Sequence, residues 1–264
     1  MKVVLLAGGK GTRARPFSDY IPKSMVPIEG RPVIDQVVRY LARFAIVEEI
    51  LIVCEFDFFG NQIINYFEGK DSIILKKISF IEDSKNGTGG AVLSAEESII
   101  NGSEPFLVWF ADNLCALDLM DLVSRYNALN TQLSGGKEVT GILVTRKHRY
   151  EETGRVTVDA KDCNRIEKFI EKPIVELESH EALGIYLFSK KIFEYLHQQE
   201  SVARHKQTNS FNLSHDVLAN LPSTGINLYS YNLDDNNTDW IDIESPIYAD
   251  RNRKIIRRII EQMS

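Results

Sequence analysis

A disulfide framework is missing. The 264 residues hold three cysteines, Cys54, Cys115 and Cys163, with no C-x-x-C pair and no even set. That usage fits unpaired thiols in a reducing compartment. No apolar run approaches the roughly 20 residues that cross a bilayer. Met1-Lys2 is followed by only five apolar residues, Val3 to Ala7, before Gly8-Gly9. This is too short for a secretory signal, so a cytoplasmic protein with no membrane partner is expected. A basic excess is also lacking: 31 Lys and Arg face 37 Asp and Glu, for a net charge of −6. That balance argues against a nucleic-acid partner. The five histidines, His148, His180, His197, His205 and His215, form no evident catalytic pair. The Walker pattern GxxxxGK[ST] is absent.

What charge there is sits unevenly. Residues 1–25 carry Lys2, Lys10, Arg13, Arg15 and Lys23 against Asp19 alone. A cationic, glycine-rich start on an acidic chain suggests a small anionic ligand. Strand and helix patterns then alternate. KVVLL (2–6), EEILIVCEF (48–56), KKISFIE (76–82), PFLVWFAD (105–112) and VTGILVTR (139–146) read as strands. Residues 32–44, 59–67, 86–100 and 117–130 read as helices between them. This order predicts an α/β protein with a mainly parallel sheet covered on both faces. Beyond residue 150, RVTVD (155–159) and RIEKFIEK (165–172) suggest a hairpin. GIYLF (184–188) and 225–233 read as strands, and 189–199 and 246–262 as helices. With no linker or repeat, a single domain over 1–264 is expected, its two halves being 1–150 and 151–264.

Gly9-Lys10-Gly11-Thr12-Arg13-Ala14 matches the dinucleotide pattern G-x-G-x-x-A. That fold needs a helix starting at the glycines. Pro16 would break such a helix in its second turn, and Pro22 and Pro27 continue the disruption. The loop instead offers backbone amides at Gly8, Gly9, Gly11 and Thr12 to a phosphate. Arg13 can grip phosphate oxygens bidentately, and Lys23 can act as a point charge.

The stretch LLAGGKGTRARPFSDYIPKSMVPIEGRPVI resembles the signature of the sugar-1-phosphate nucleotidylyltransferases. The likeness recurs in order along the chain. NGTGGAVLSA (86–95) and FLVWFADNL (106–114) are followed by Gly154, RIEKFIEKP (165–173), GIYLF (184–188) and WIDIESP (240–246). The resemblance implies a Rossmann-like α/β/α sandwich with a mixed sheet. It implies a nucleotidyltransferase that joins an NTP to a sugar 1-phosphate, giving an NDP-sugar and pyrophosphate. Arg13 and Lys23 would be catalytic. The loop from Leu6 and Ala7 through Gly8, Gly9, Gly11 and Thr12 would hold the nucleotide, with Glu82, Gly87 and Thr88 near the base. Gly154, Glu171 and Lys172 would hold the sugar phosphate, and Asp112 and Asp242 would ligate Mg2+.

Glucose 1-phosphate with dTTP or UTP is the first expectation for substrates. A GTP-dependent mannose or heptose 1-phosphate guanylyltransferase and a non-catalytic regulatory subunit are the alternatives. Glu82 either accepts from a guanine edge or is a solvated strand terminus. The chain departs from the family pattern at Ala182, where a sugar-contacting Asn is usual, and at Glu244-Ser245, where Gly-Thr is usual. The last helix, with Ile255, Ile256, Ile259 and Ile260 among Arg and Lys, reads as packing on the sheet or on a second subunit.

Overall fold

Strand β1 (Lys2–Leu6) is short, apolar and β-branched, and Val3, Val4 and Leu5 are fully buried. Such burial on both faces belongs to the centre of a sheet with helices on each side. The computed structural model describes residues 1–9, 11–68, 75–133, 138–151, 153–159, 165–205, 210–220 and 226–264. A two-stranded ribbon, β2 (Pro27–Ile28) and β3 (Arg31–Pro32), turns through Glu29 and Gly30, both at positive φ. Helix α1 (Val33–Ala42) leads to β4 (Glu49–Cys54), α2 (Phe58–Glu68) and β5 (Ile78–Glu82). Then come α3 (Gly87–Ser94), α4 (Glu96–Ile100), β6 (Phe106–Phe110), β7 (Asn113–Cys115) and α5 (Leu119–Gln132). Asp118 caps α5 by accepting from the amides of Met120 and Asp121.

The second half holds β8 (Gly141–Tyr150), β9 (Arg155–Asp159), β10 (Arg165–Ile170), β11 (Ile174–Phe188) and α6 (Ile192–His205). It ends with β12 (Leu228–Asn232), β13 (Trp240–Asp242), α7 (Pro246–Arg251) and α8 (Arg253–Met263). Seven strands form one sheet in the order β12-β8-β11-β6-β1-β4-β5. Only β11 is reversed, antiparallel to β6 and β8; the other neighbours are parallel. This is the mixed, mainly parallel α/β/α sandwich expected from the sequence. Alternation along β1 sends Val3 and Leu5 into one core with Val37 and Leu41 of α1. Val4 enters the other core with Val92 of α3 and Leu196 of α6.

Several elements differ from the expected ones, and the expected helix 86–100 is divided at Ala95 into α3 and α4. Strand β11 runs for 15 residues, where only 184–188 was expected. Its first half alternates polar and half-buried residues, and its pairing with β8 shifts register twice. Gly184, at φ 69°, lies at the second shift, where a Cβ would meet the Asn113 amide at 2.6 Å. The final helix is two helices. Ser245 caps α7 by accepting from the Tyr248 amide, with Pro246 at its first position. The run breaks at Asn252, whose backbone leaves the helical region at φ −101° and ψ 15° and whose side-chain amide donates to the Tyr248 carbonyl. Ile256, Ile259 and Met263 of α8 are buried in the first core. Arg257 pairs with Glu29 at 3.0 Å, and Arg258 pairs with Asp239. The isoleucine stripe therefore packs within the chain. Among the described residues, no helix is long and apolar enough to cross a membrane.

Candidate active site

Ligands of open α/β sheets bind outside the carboxyl ends of the strands, where the chain order reverses. Here that point is the end of β1, between β4 on one side and β6 on the other. The chain leaves β1 with the Ala7 amide donating to the Val53 carbonyl at 2.9 Å. Past β6, the Ala111 amide donates to the Leu6 carbonyl at 3.0 Å. Between them lie three tight turns, Thr12–Ala14, Phe17–Asp19 and Lys23–Met25. Among the described residues of this loop, no α-helix follows Gly8, Gly9 and Gly11, only the short turn Thr12–Ala14.

Gly11 sits at φ 54°, a left-handed conformation. Its carbonyl accepts from the Ser18 hydroxyl at 2.7 Å. A Cβ there would lie 3.0 Å from Lys23 Cβ and 3.2 Å from Ser18 Cβ. Gly11→Ala is therefore expected to cost about 1–2 kcal/mol of stability, read by urea unfolding. An unchanged midpoint would contradict this turn geometry.

Lys23 is only 8% exposed. Its Nζ donates to Asp112 Oδ2 at 2.6 Å and to Asp242 Oδ1 at 2.8 Å. Three residues far apart in sequence thus meet at one atom, and a three-residue ribbon arranges it. Strand β7 pairs antiparallel with β13, placing Asn113 opposite Asp242, and the Ile243 amide donates to the Asp112 carbonyl at 2.9 Å. Ile241 and Ile243 are buried, so the intervening Asp242 turns toward Lys23. Asn113 anchors the ribbon, donating to the Leu183 carbonyl at 3.0 Å and accepting at its own carbonyl from Trp109 Nε1 at 2.9 Å. Burial pulls the Lys23 ammonium down, but Asp112 and Asp242 outweigh it and hold its pKa above the ordinary value.

Two clefts flank Lys23, of about 310 and 270 Å³. Ala7, Gly9 and Lys23 line both. Leu6, Gly11, Thr12, Thr88 and Asp112 line the smaller one, and Gly8 the larger. A Cβ on Gly9 would meet nothing within 4 Å, so the loop backbone is open to a ligand there. Arg13 stands in the turn Thr12–Ala14, with its side chain outside the described part of the structure. Lys10 and Cys163 lie outside the described residues.

Glu82 is exposed at the end of β5, and the next residue faces the loop instead: a Cβ on Gly8 would lie 2.4 Å from Asp83 Oδ2. Burial raises the pKa of Asp83. Successive residues of an extended chain point to opposite sides. That alternation is the signal by which Asp83 could have been chosen over Glu82.

Gly87 opens α3 at φ 74°, where a Cβ would lie 2.4 Å from the Phe211 carbonyl oxygen. The Thr88 hydroxyl accepts from the Leu213 amide at 2.8 Å. Close packing against the 211–213 segment thus accounts for the glycine turn. Gly154 and Glu171 lie together at the β9–β10 hairpin, since a Cβ on Gly154 would meet Phe169 and, at 3.1 Å, Glu171 Oε2. Lys172, at φ 45°, opens onto a separate cleft with Arg146, Tyr150 and Trp240. These three residues are not brought to Lys23. Sequence reasoning also missed Ser24 and Phe110, which line the smaller cleft.

Asp112 and Asp242 fit a hard divalent cation: two carboxylate oxygens already share one cation, the Lys23 ammonium. Among the described residues, no cluster of three or more His, Cys, Asp or Glu is placed to hold a metal. A cation at this pair would complete its shell from water and phosphate oxygens, as Mg2+ commonly does.

Mannose-1-phosphate guanyltransferase beta-B of Xenopus laevis is 29% identical over 195 residues, covering 74% of this chain and 51% of that protein. A UTP–glucose-1-phosphate uridylyltransferase of Synechocystis is 27% identical across 100% of this chain and 65% of that protein. The chain thus spans about half to two thirds of the length of these curated relatives. The solved structure of a UDP-glucose pyrophosphorylase with UDP-glucose superposes with a TM-score of 0.64 at 21% identity, over 99% of this chain and 98% of that one. The Nucleotidyl transferase family matches residues 2–246. With that match across nearly its whole length, the chain belongs to the nucleotidyl transferase family.

Proposed function

We propose that this chain transfers a nucleotidyl group from an NTP to a sugar 1-phosphate, releasing pyrophosphate and forming an NDP-sugar. The carrying observation is the Lys23 ammonium, held between Asp112 and Asp242 at the mouth of the glycine loop. A sugar phosphate oxygen attacks the α-phosphorus, forming a P–O bond. The bond from the α-phosphorus to the pyrophosphate oxygen breaks, and that oxygen keeps the electron pair. The attacking phosphate monoester has a second pKa of about 6 and is already largely ionised at neutral pH. No general base or protein nucleophile is required.

The obstacle is charge repulsion, met by positioning and electrostatic stabilisation. In this reading the amides of Gly8, Gly9, Gly11 and Thr12 cradle the triphosphate. Arg13 holds its β and γ phosphates, and Lys23 contacts the α-phosphate. The family resemblance assigns the sugar phosphate to Lys172, with Gly154 and Glu171, although Lys172 here lines a separate cleft. Mg2+ bound at Asp112 and Asp242 would screen the phosphates from one another.

The buried Cys54 thiol lines the larger cleft, and burial, with Asp83 and Asp57 adding to it, pushes its pKa up to about 12. It is therefore neutral at working pH and a poor nucleophile. Cys54→Ala is expected to leave pyrophosphate release unchanged, and loss of release would contradict a mechanism without a protein nucleophile.

Glucose 1-phosphate with dTTP or UTP is the favoured pair, supported by the uridylyltransferase relative that this chain matches over its full length. A second reading, GTP with mannose or a heptose 1-phosphate, draws on the guanyltransferase relative. It also draws on Asp83, which faces the loop at Gly8, because a carboxylate accepts from a guanine N–H edge. An isotope experiment tests the reaction itself. With the sugar phosphate oxygens labelled with 18O, all label is expected in the NDP-sugar. Label in pyrophosphate would overturn the proposal.

A further inference from the structure

The ammonium of Lys23 stands where a cation between Asp112 and Asp242 would stand, in contact with both carboxylates. A divalent cation and the ammonium cannot share those two oxygens without strong like-charge repulsion. Two carboxylates are also a sparse shell for a hard cation. Lys23 lines both clefts, one on the side of Gly8 and Cys54, the other on the side of Phe110 and Asp112. A flexible four-carbon stem can carry the ammonium from the acids toward the glycine loop. There, a Cβ on Gly9 would meet nothing within 4 Å. A polyphosphate seated on the loop supplies both missing parts: an anion to draw Lys23 off the acids, and oxygens to complete the shell of the cation.

We infer that Lys23 is the resident counter-ion of the Asp112–Asp242 pair, and that a divalent cation enters the pair only after a polyphosphate has drawn the ammonium away. The inference rests on the nucleotidyl-transfer reading and adds an order of events: polyphosphate first or together with the cation, never the cation alone. Lys23 keeps a site made of two acids from filling with bare cations between turnovers.

The test uses Mn2+ as the probe and water-proton relaxation as the readout. Relaxation enhancement rises when Mn2+ sits on the slowly tumbling chain and not in a small polyphosphate chelate. The wild-type chain is expected to bind Mn2+ weakly alone, and roughly ten-fold or more tighter with inorganic tripolyphosphate. Lys23→Met is expected to bind Mn2+ alone roughly ten-fold tighter than wild type. The double variant with Asp112→Asn loses that gain. The wild-type comparison with and without tripolyphosphate stands even if the variant fails to fold. Wild type binding Mn2+ alone as tightly as Lys23→Met, or as tightly as with tripolyphosphate, overturns the counter-ion role and leaves the reaction intact. Absence of Mn2+ binding in every arm overturns both this inference and the metal site of the proposed reaction.

Discussion

Asp112→Asn is expected to lower the rate of pyrophosphate release by roughly a hundred- to a thousand-fold, the cost of one lost preorganised charge contact. The fold is expected to survive. The substitution is isosteric and the side chain is partly exposed at 23%. Its backbone carbonyl still accepts from the Ile243 amide. Asp242→Asn is expected to behave alike, since its carboxylate shares the same ammonium. The loss belongs in kcat, because the charge is needed where pyrophosphate departs, with the KM for sugar 1-phosphate little changed. Steady-state pyrophosphate release with Mg2+ checks this, and wild-type turnover in Asp112→Asn would remove the acid from the mechanism.

Lys23→Met is expected to lower kcat by a comparable factor, on the order of a hundred-fold or more. It is also expected to tighten the binding of bare Mn2+. Opposite movements of turnover and metal affinity separate a catalytic contact from a structural one. Because Lys23 touches Asp112 at 2.6 Å, the double variant is expected to lose less than the product of the single losses.

The pH dependence follows from the direction of the Lys23 shift. Its folded-state pKa is raised above 10.5. Whatever stability its ion pairs contribute is fully present below the unfolded value and lost only as pH rises through the folded one. The stability gap between wild type and Lys23→Met is therefore expected to be flat across the neutral range and to close only in strong alkali. Urea unfolding across that range checks it.

The sheet was legible wherever burial left an apolar mark. KVVLL, EILIVC and FLVWF carry continuous apolar residues because helices cover both their faces. The first half of β11 carried no such mark, being half exposed and polar at alternate positions. The break at Asn252 lies in its backbone leaving the helical region, at φ −101° and ψ 15°, which no hydrophobic period announces.

For the site, the glycine loop and its cations were visible by composition. The meeting of Lys23, Asp112 and Asp242 was not visible in any spacing. It depends on three-residue strands β7 and β13 pairing across about half of the chain, and only the family resemblance pointed to those acids. The resemblance also named Lys172, which in this structure opens onto the cleft beside Trp240. Gly87 has a local packing reason in its closeness to Phe211, which a motif alone does not reveal.

Pyrophosphate release with Mg2+, using ATP, GTP, CTP, UTP and dTTP crossed with a panel of sugar 1-phosphates, tests the central claim most directly. The account predicts release that requires both an NTP and a sugar 1-phosphate, strongest for one pair. Release from an NTP alone, or from no pair while NTP still binds, would contradict it.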